Sequence, residues 1–296
     1  ERSSQRRIPM TILVFGHKAP DTDSTGSALI WAWYLSEKLD KPAEARLLGE
    51  PNTEAAFVLQ RWGFETPQII EDVSANDEVV VVDTNNVAEL PPSINDAKVI
   101  EVIDHHLLQG GLATKSPINI TIRPVACTAT ILHDLMGDAA DDMPENVKAV
   151  MLSCILSDTL EFRSPTTTAV DKALAERLAH DLGIAIPDYA DELFAAKSDI
   201  SAFSDAELLR MDSKEYEVSG KKLRISVLET TSPAIVLDRK DSLFEAMDRV
   251  AEEDGVEQVV LFVIDILKEE ATLLVPNELV KGLAEKSFDT SVEGDT

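Results

Sequence analysis

A two-domain α/β protein is predicted by three features of this sequence. From Met10 to about Ala196, short β-branched runs alternate with amphipathic stretches, as βαβ units around a parallel sheet do. The two clearest apolar runs, Val79–Val82 and Val99–Ile103, each stop at a polar residue with catalytic potential. A second, shorter βα pattern follows a polar, Ser- and Asp-containing segment at residues 197–205, which reads as a linker. The expected architecture is a parallel-sheet domain over residues 10–196 with helices on both faces, then a smaller α/β domain over residues 206–296. A chain of 296 residues is long enough to bury a core in each.

Each element has a local reason. Thr11–Phe15 is a buried strand, followed by a loop at Gly16–Asp23 and a helix at Ser24–Leu39 with apolar residues at helical spacing. Arg46–Leu48 is a weak strand, and Thr53–Trp62 is a helix capped by Asn52 or Thr53 and stopped by Gly63. Strands at Val79–Val82, Val99–Ile103 and Ile118–Arg123 complete the first sheet. Helices follow at Thr128–Met136, Glu145–Leu156, Lys172–Leu182 and Pro187–Ala196. In the second domain, strands at Leu223–Leu228 and Gln258–Ile264 flank a helix at Ser242–Glu253 that ends at Gly255. Glu1–Pro9 is polar and basic, lacks the apolar stretch of a secretory signal, and reads as an upstream remnant or a disordered extension.

Composition excludes several classes. Lys and Arg total 27 against 54 Asp and Glu, a net charge of −27, so a basic face for nucleic acid is not expected. An anionic substrate would need metal ions or a few local cations. No apolar run reaches the ~18 residues of a membrane span. The two cysteines, Cys127 and Cys154, sit in apolar helical patterns and suit a reducing cytosol, so a cytoplasmic protein with inert core thiols is expected.

Metal-type ligands gather at four element ends. His17 follows the first strand, and Pro20 forces an extended path through which Asp21 and Asp23 can present carboxylates in register. Asp83 follows the run of valines, Asp104-His105-His106 follows the next strand, and Ser157-Asp158-Thr159 ends an apolar helix. Singly, each of these acids can be read as a cap, and Asp158 alone reads better as one. Together, so many acidic and imidazole groups at one sheet edge cannot share a low-dielectric site as bare anions, and bound dications would resolve the conflict. His133 and His180 lie within helix patterns and are assigned structural roles.

The ordered motifs HKAPDTD, VVDTN, VIDHH and LSDT followed by SPTT resemble those of the manganese-dependent inorganic pyrophosphatases, within the DHH phosphoesterase superfamily. The resemblance runs from about Met10 to Thr296. It implies hydrolysis of pyrophosphate at a pair of Mn2+ ions per subunit, with Co2+ or Mg2+ as substitutes, in a homodimer joined through the first domain. By the same resemblance His17 and Asp21 are ligands of one metal, Asp23 and His105 of the other, and Asp83 and Asp158 are shared between or flank both. His106 then contacts substrate, and Lys214, in Asp212–Tyr216, binds a terminal phosphate from the second domain. The family usually reads Asp-His-Asn where this chain has Asp83-Thr84-Asn85. It also ends in a Ser-Arg-Lys-Lys segment that is not reached by Thr296, so Val292–Thr296 is expected to break off within a domain.

Two rivals are a DHH phosphodiesterase acting on short oligonucleotides or cyclic dinucleotides, and a non-catalytic metal-binding relative. The first usually carries a glycine-rich, histidine-bearing motif in a different associated domain and needs a groove for bases. Here Gly110-Gly111 lies in a loop of the first domain, and no aromatic–basic interleaving is visible. The second has only Thr84 and the unreached tail in its favour.

Overall fold

A computed structural model describes residues 10–218 and 220–296; Glu1–Pro9, read above as an extension, lies outside the described residues. The chain forms two compact units that divide between Ala196 and Lys197.

The first unit is built on β1 (Ile12–Phe15), β2 (Ala43–Ala45), β3 (Glu78–Val82), β4 (Lys98–Asp104) and β5 (Asn119–Ile122). All pairs are parallel, in the order β2-β1-β3-β4-β5. Its helices are α1 (Thr22–Lys38), α2 (Thr53–Arg61), α3 (Thr128–Met136), α4 (Glu145–Thr159), α5 (Ala169–Leu182) and α6 (Ile186–Lys197). Val79, Val80, Val81 and Val82 are all fully buried, because β3 is central and both of its faces are covered. Burying each such side chain contributes about 1.5–3 kcal/mol.

The two faces are covered differently. Ile12, Val14, Val80, Val82 and Ile103 pack beneath α1, α3, α4 and α5. Phe15, Val79, Val81, Val99 and Val102 pack against Val73, Leu90, Ile94 and Ala97. The cover expected to be helical on this second face is therefore irregular chain and a 3-10 turn, Val87–Glu89. Residues 83–97, which connect β3 to β4, form only this 3-10 turn.

The strand expected at Arg46–Leu48 is displaced. β2 is Ala43–Ala45, in register with Ile12–Val14, while Leu47 makes only an isolated bridge to Ile69. The backbone ladder decides this: Ile12 donates to the Pro42 carbonyl at 2.8 Å and Arg46 to Val14 at 2.8 Å, fixing the pairing two to three residues upstream of the apolar pair.

The second unit has α7 (Asp205–Met211), β6 (Ser213–Val218), β7 (Lys221–Thr230), α8 (Pro233–Leu237), α9 (Lys240–Asp254), β8 (Gln258–Asp265), β9 (Glu270–Leu273) and α10 (Glu278–Phe288). Its sheet runs β6-β7-β8-β9, with β7 and β8 parallel and the outer pairs antiparallel. Alternate residues of β8 serve two cores: Val259, Leu261 and Val263 meet α9 residues such as Leu243 and Met247, while Val260 meets Val280 of α10. The edge strands β6 and β9 escape sequence reading because β6 is polar and almost wholly exposed and β9 is only four residues long.

Small residues let α1 and α4 approach closely. A Cβ at Gly26 would lie 2.3 Å from Cys154 Sγ and 2.8 Å from Val150 Cγ1. Alanine gains about 1 kcal/mol over glycine in a helix, but overpacking costs about 1–3 kcal/mol, so the clash wins. Gly26→Ala is expected to lower the thermal unfolding midpoint of the first unit. Gly282→Ala, in α10 with nothing within 4 Å of its Cβ, is expected to raise that of the second.

Candidate metal centre

The parallel sheet brings the C-terminal ends of β1, β3 and β4 to one edge, and the predicted ligands follow those ends. Gly16 lets β1 turn tightly: a Cβ there would fall 1.9 Å from Ser24 Oγ, which accepts the His17 N–H at 3.1 Å. The extended path expected to align Asp21 and Asp23 is not formed, because α1 begins at Thr22. Asp21 is its N-cap, accepting the Ser24 N–H at 2.9 Å, and its other oxygen stands 3.6 Å from His17 Nε2. Asp23 lies in the first helical turn, where helix geometry rather than strand alternation directs its carboxylate.

Asp23 is fully buried yet well solvated by protein donors. Ser27 Oγ donates at 2.9 Å, the Thr128 and Ala129 N–H groups at 2.7 and 3.2 Å, and Cys127 Sγ at 3.1 Å. The backbone donors are the open N-terminus of α3, which favours an anion. Asp83 leaves β3 in the left-handed region at φ 59°, a conformation that Asp tolerates better than most residues. This turn sets one carboxylate oxygen 3.4 Å from His17 Nε2 and the other 3.3 Å from His105 Nε2, while Thr128 Oγ1 donates to it at 3.0 Å.

His105 Nδ1 is 3.1 Å from the Val125 carbonyl, a contact that suits a proton on Nδ1 and would leave Nε2 available to a metal. Nε2 also lies 3.8 Å from Asp23 and 3.9 Å from Asp158. Asp158 was expected just after a helix; it is instead in the last turn of α4, which continues to Thr159. The helix then ends in three consecutive left-handed residues, Leu160, Glu161 and Phe162, at φ 49°, 52° and 69°.

Three clusters result, each with ligand atoms within 4.8 Å of one another: His17, Asp21 and Asp83; Asp23, His105 and Asp158; and Asp83, His105 and His106. In the third, His106 Nδ1 is already engaged by Asp104 at 2.8 Å. His106 is half-exposed, and with Nδ1 turned inward its Nε2 is left to donate elsewhere. Lys214 sits exposed on β6 of the second unit. His133 contacts Arg177 and His180 is exposed, so neither joins a cluster.

The supporting roles of three residues escaped sequence reading. Asp104 accepts the backbone N–H groups of His105 and His106, at 2.8 and 3.1 Å, besides the His106 ring. Asn85 donates to Asp104 at 2.5 Å and to the Leu107 carbonyl at 2.9 Å, and accepts from Gln109 N–H at 2.6 Å. Both stand inside the quoted motifs, so their position was the signal. Thr128 carries no local signal, since its partner Asp83 is 45 residues away. Thr84, where the family pattern has His, donates to Glu89 at 2.8 Å and accepts from Asn86 N–H at 3.1 Å, a purely local tie.

Charge crowding appears as displaced proton affinities. Burial disfavours the His17 imidazolium, but Asp21 and Asp83 outweigh it and raise its pKa to about 10. Burial likewise opposes His105, and Asp83 with Asp23 raises it to about 9. Burial, then the charge of Asp83, pushes Asp23 up to about 7. At Asp83 burial is outweighed by His105 and His17, which hold its carboxyl well below the usual carboxylate range. The nitrogen and oxygen atoms that meet here are those a mixed imidazole–carboxylate site would offer to a first-row dication, so the donor set fits such metals.

Comparison with known proteins adds an independent line. The DHH family, N-terminal domain, matches residues 11–158, and the DHHA2 domain matches residues 191–296. A probable manganese-dependent inorganic pyrophosphatase of Deinococcus radiodurans is 39% identical over 288 residues, 96% of this chain and 91% of that protein. The manganese-dependent inorganic pyrophosphatase of Methanocaldococcus jannaschii is 34% identical over 292 residues, covering 96% and 92%. The crystal structure of a candidate family II inorganic pyrophosphatase from Methanococcus jannaschii superposes with a TM-score of 0.67 at 33% identity, covering 95% of this chain and 91% of that one.

The proton affinities set a pH dependence. His17 and His105 are raised from 6.5 to about 10 and about 9, so their stabilising contribution is full below pH 6.5 and is lost as pH rises through those values. Asp23, raised from 3.8 to about 7, works in the same direction between those limits. Without metal, the unfolding midpoint of the first unit is expected to fall as pH rises from about 6.5 to 9. Ligands must lose those protons to bind a dication, so the rise in midpoint on adding Mn2+ is expected to grow over the same interval. Thermal unfolding with a chelator and with Mn2+ checks both; a flat metal-free midpoint would mean that the imidazoles are neutral in the fold.

Proposed function

The chain belongs to the family of manganese-dependent inorganic pyrophosphatases, and from that premise we propose that it hydrolyses inorganic pyrophosphate to two phosphates. The observation that carries this reading is Asp83, whose two oxygens face His17 on one side and His105 on the other and so join two ligand clusters. His17, Asp21 and Asp83 would hold one Mn2+, and Asp23, His105 and Asp158, with Asp83 shared, the other. This division would give two ions per subunit, and Co2+ or Mg2+ would be accepted by the same atoms.

A bound metal pair supplies an acidified water as nucleophile and neutralises phosphoryl oxygens. The remaining chemistry belongs to the chain. Asp104 fixes the His106 ring through Nδ1 and raises its proton affinity, so that a proton on Nε2 is offered to a substrate oxygen. Asn85 and the backbone of residues 105 and 106 keep Asp104 in place for that task. In the second domain Lys214 would take a terminal phosphate, supplying local positive charge in a chain whose net charge is −27. That balance also speaks against nucleic acid as substrate. No helix among the described residues is long and apolar enough to cross a membrane. A cytoplasmic location suits the two free, buried cysteines, and the family resemblance carries the reading of a homodimer joined through the first domain.

Phosphate release from pyrophosphate, measured against a short oligonucleotide and a generic phosphoester with and without Mn2+, tests the reading. Pyrophosphate is expected to be preferred and Mn2+ to activate; equal or faster turnover of the oligonucleotide would overturn it.

Asp83→Ala and Asp158→Ala are expected to lower bound metal and activity together. His106→Gln is expected to lower kcat by about 100-fold or more while metal content stays near wild type. Metal analysis of the purified variants separates the two classes.

Lys214→Ala is expected to raise KM for pyrophosphate by about 10-fold, the worth of one charge-assisted hydrogen bond, without altering Mn2+ binding. Steady-state kinetics beside metal titration checks this.

A further inference from the structure

Glu54 is fully buried in the first turn of α2, and nothing so far gives it a task. Thr22 Oγ1 donates to its Oε1 at 2.5 Å, and Ser157 Oγ donates to the same atom. Its Oε2 has no hydrogen-bond partner among the described residues. A buried, half-satisfied carboxylate costs stability that an apolar side chain of similar volume would not. What Oε1 holds together supplies a reason for it.

Thr22 lies between Asp21 and Asp23, and Ser157 immediately precedes Asp158. One oxygen atom therefore joins the N-terminus of α1 to the last turn of α4, the two places that bring in three of the seven clustered residues, Asp21, Asp23 and Asp158. The base of α2 is itself seated on the same loop: Asn52 N–H donates to the Pro20 carbonyl at 2.9 Å, and a Cβ at Gly49 would lie 2.7 Å from the Lys18 carbonyl. Glu54 thus reaches the two helix ends from a fixed platform.

From this arrangement we infer that Glu54 is a positioning residue that sets the spacing of Asp21, Asp23 and Asp158, and that it acts through hydrogen bonding at Oε1 rather than through its charge. Both hydroxyls donate to a single oxygen, so an amide oxygen in the same place would serve equally well. The inference rests on the reading of the clusters as a metal site.

Calorimetric titration of the metal-free full chain with Mn2+, together with its thermal midpoint without metal, tests it. Glu54→Ala is expected to weaken Mn2+ binding by about 10-fold or more, the usual scale for loss of a supporting group around a metal. Glu54→Gln is expected to stay within about threefold of wild type, because the shared acceptor is kept. Ser157→Ala, which removes one donor and leaves Glu54 in place, is expected to fall between them and decides the matter if Glu54→Ala does not fold. A purely structural tie would lower the metal-free midpoint while leaving Mn2+ affinity unchanged in Glu54→Ala and Ser157→Ala, and that result would overturn the inference. So would a loss in Glu54→Gln as large as in Glu54→Ala, which would assign the effect to charge. Wild-type protein that binds no Mn2+ would overturn the metal reading, and this inference with it.

Discussion

Two carboxylates with almost no access to water, Asp23 and Asp83, face each other's field at the end of the first sheet. Burying one bare carboxylate is costly, and burying two together is worse unless something positive or proton-donating is supplied. Much of the first unit can be understood as that supply. Asp23 receives the open N–H groups of α3 as well as the Ser27 and Cys127 side chains. Asp83 receives two imidazoles and the Thr128 hydroxyl. Removing the crowding would leave the backbone turn at Asp83, the capping of α1 and the orientation of both histidines without an evident purpose.

A parallel sheet is suited to building such a site. Every strand ends on the same edge, so ligands separated by some 20 residues or more in sequence arrive within a few ångströms by backbone register alone. Helices then add what strands cannot. The N-terminus of α3 brings backbone donors without side-chain entropy, and the last turn of α4 brings Asp158 from the far side. Close packing of α1 on α4 at Gly26 is part of the same geometry, because these two helices carry Asp21, Asp23 and Asp158 between them.

The legible parts of the sequence were those where one local cause dominates. Val79–Val82 stands out as a strand from its run of β-branched residues, and the histidines after Phe15 and Asp104 are visible as polar stops to apolar runs. The misplaced parts had competing causes. Leu47 and Leu48 suggest a strand by side chain, yet the backbone ladder to β1 is satisfied earlier, at Ala43–Ala45. Pro20 suggested an extended loop through Asp23, yet Asp21 is a good cap and starts the helix at once. What stayed invisible was long-range: Thr128 on Asp83 and Glu54 on Ser157 join segments 45 and 103 residues apart, with no periodicity to announce them.

The mixed make-up of the ligand clusters bears on how such a site would take up metal. Imidazole nitrogens and carboxylate oxygens stand 3.3–3.6 Å apart at this edge, and a protonated imidazole attracts a carboxylate where a second carboxylate would repel it. A site made only of carboxylates would be forced apart or protonated into neutral acids. Mixed pairs keep the ligand atoms close, at the cost of releasing protons when metal enters. Placing His17 and His105 on either side of Asp83 therefore keeps the clustered nitrogen and oxygen atoms together. It leaves the choice among dications to ligand type and coordination geometry, since raw affinity for such a donor set rises generally across the first-row metals up to copper.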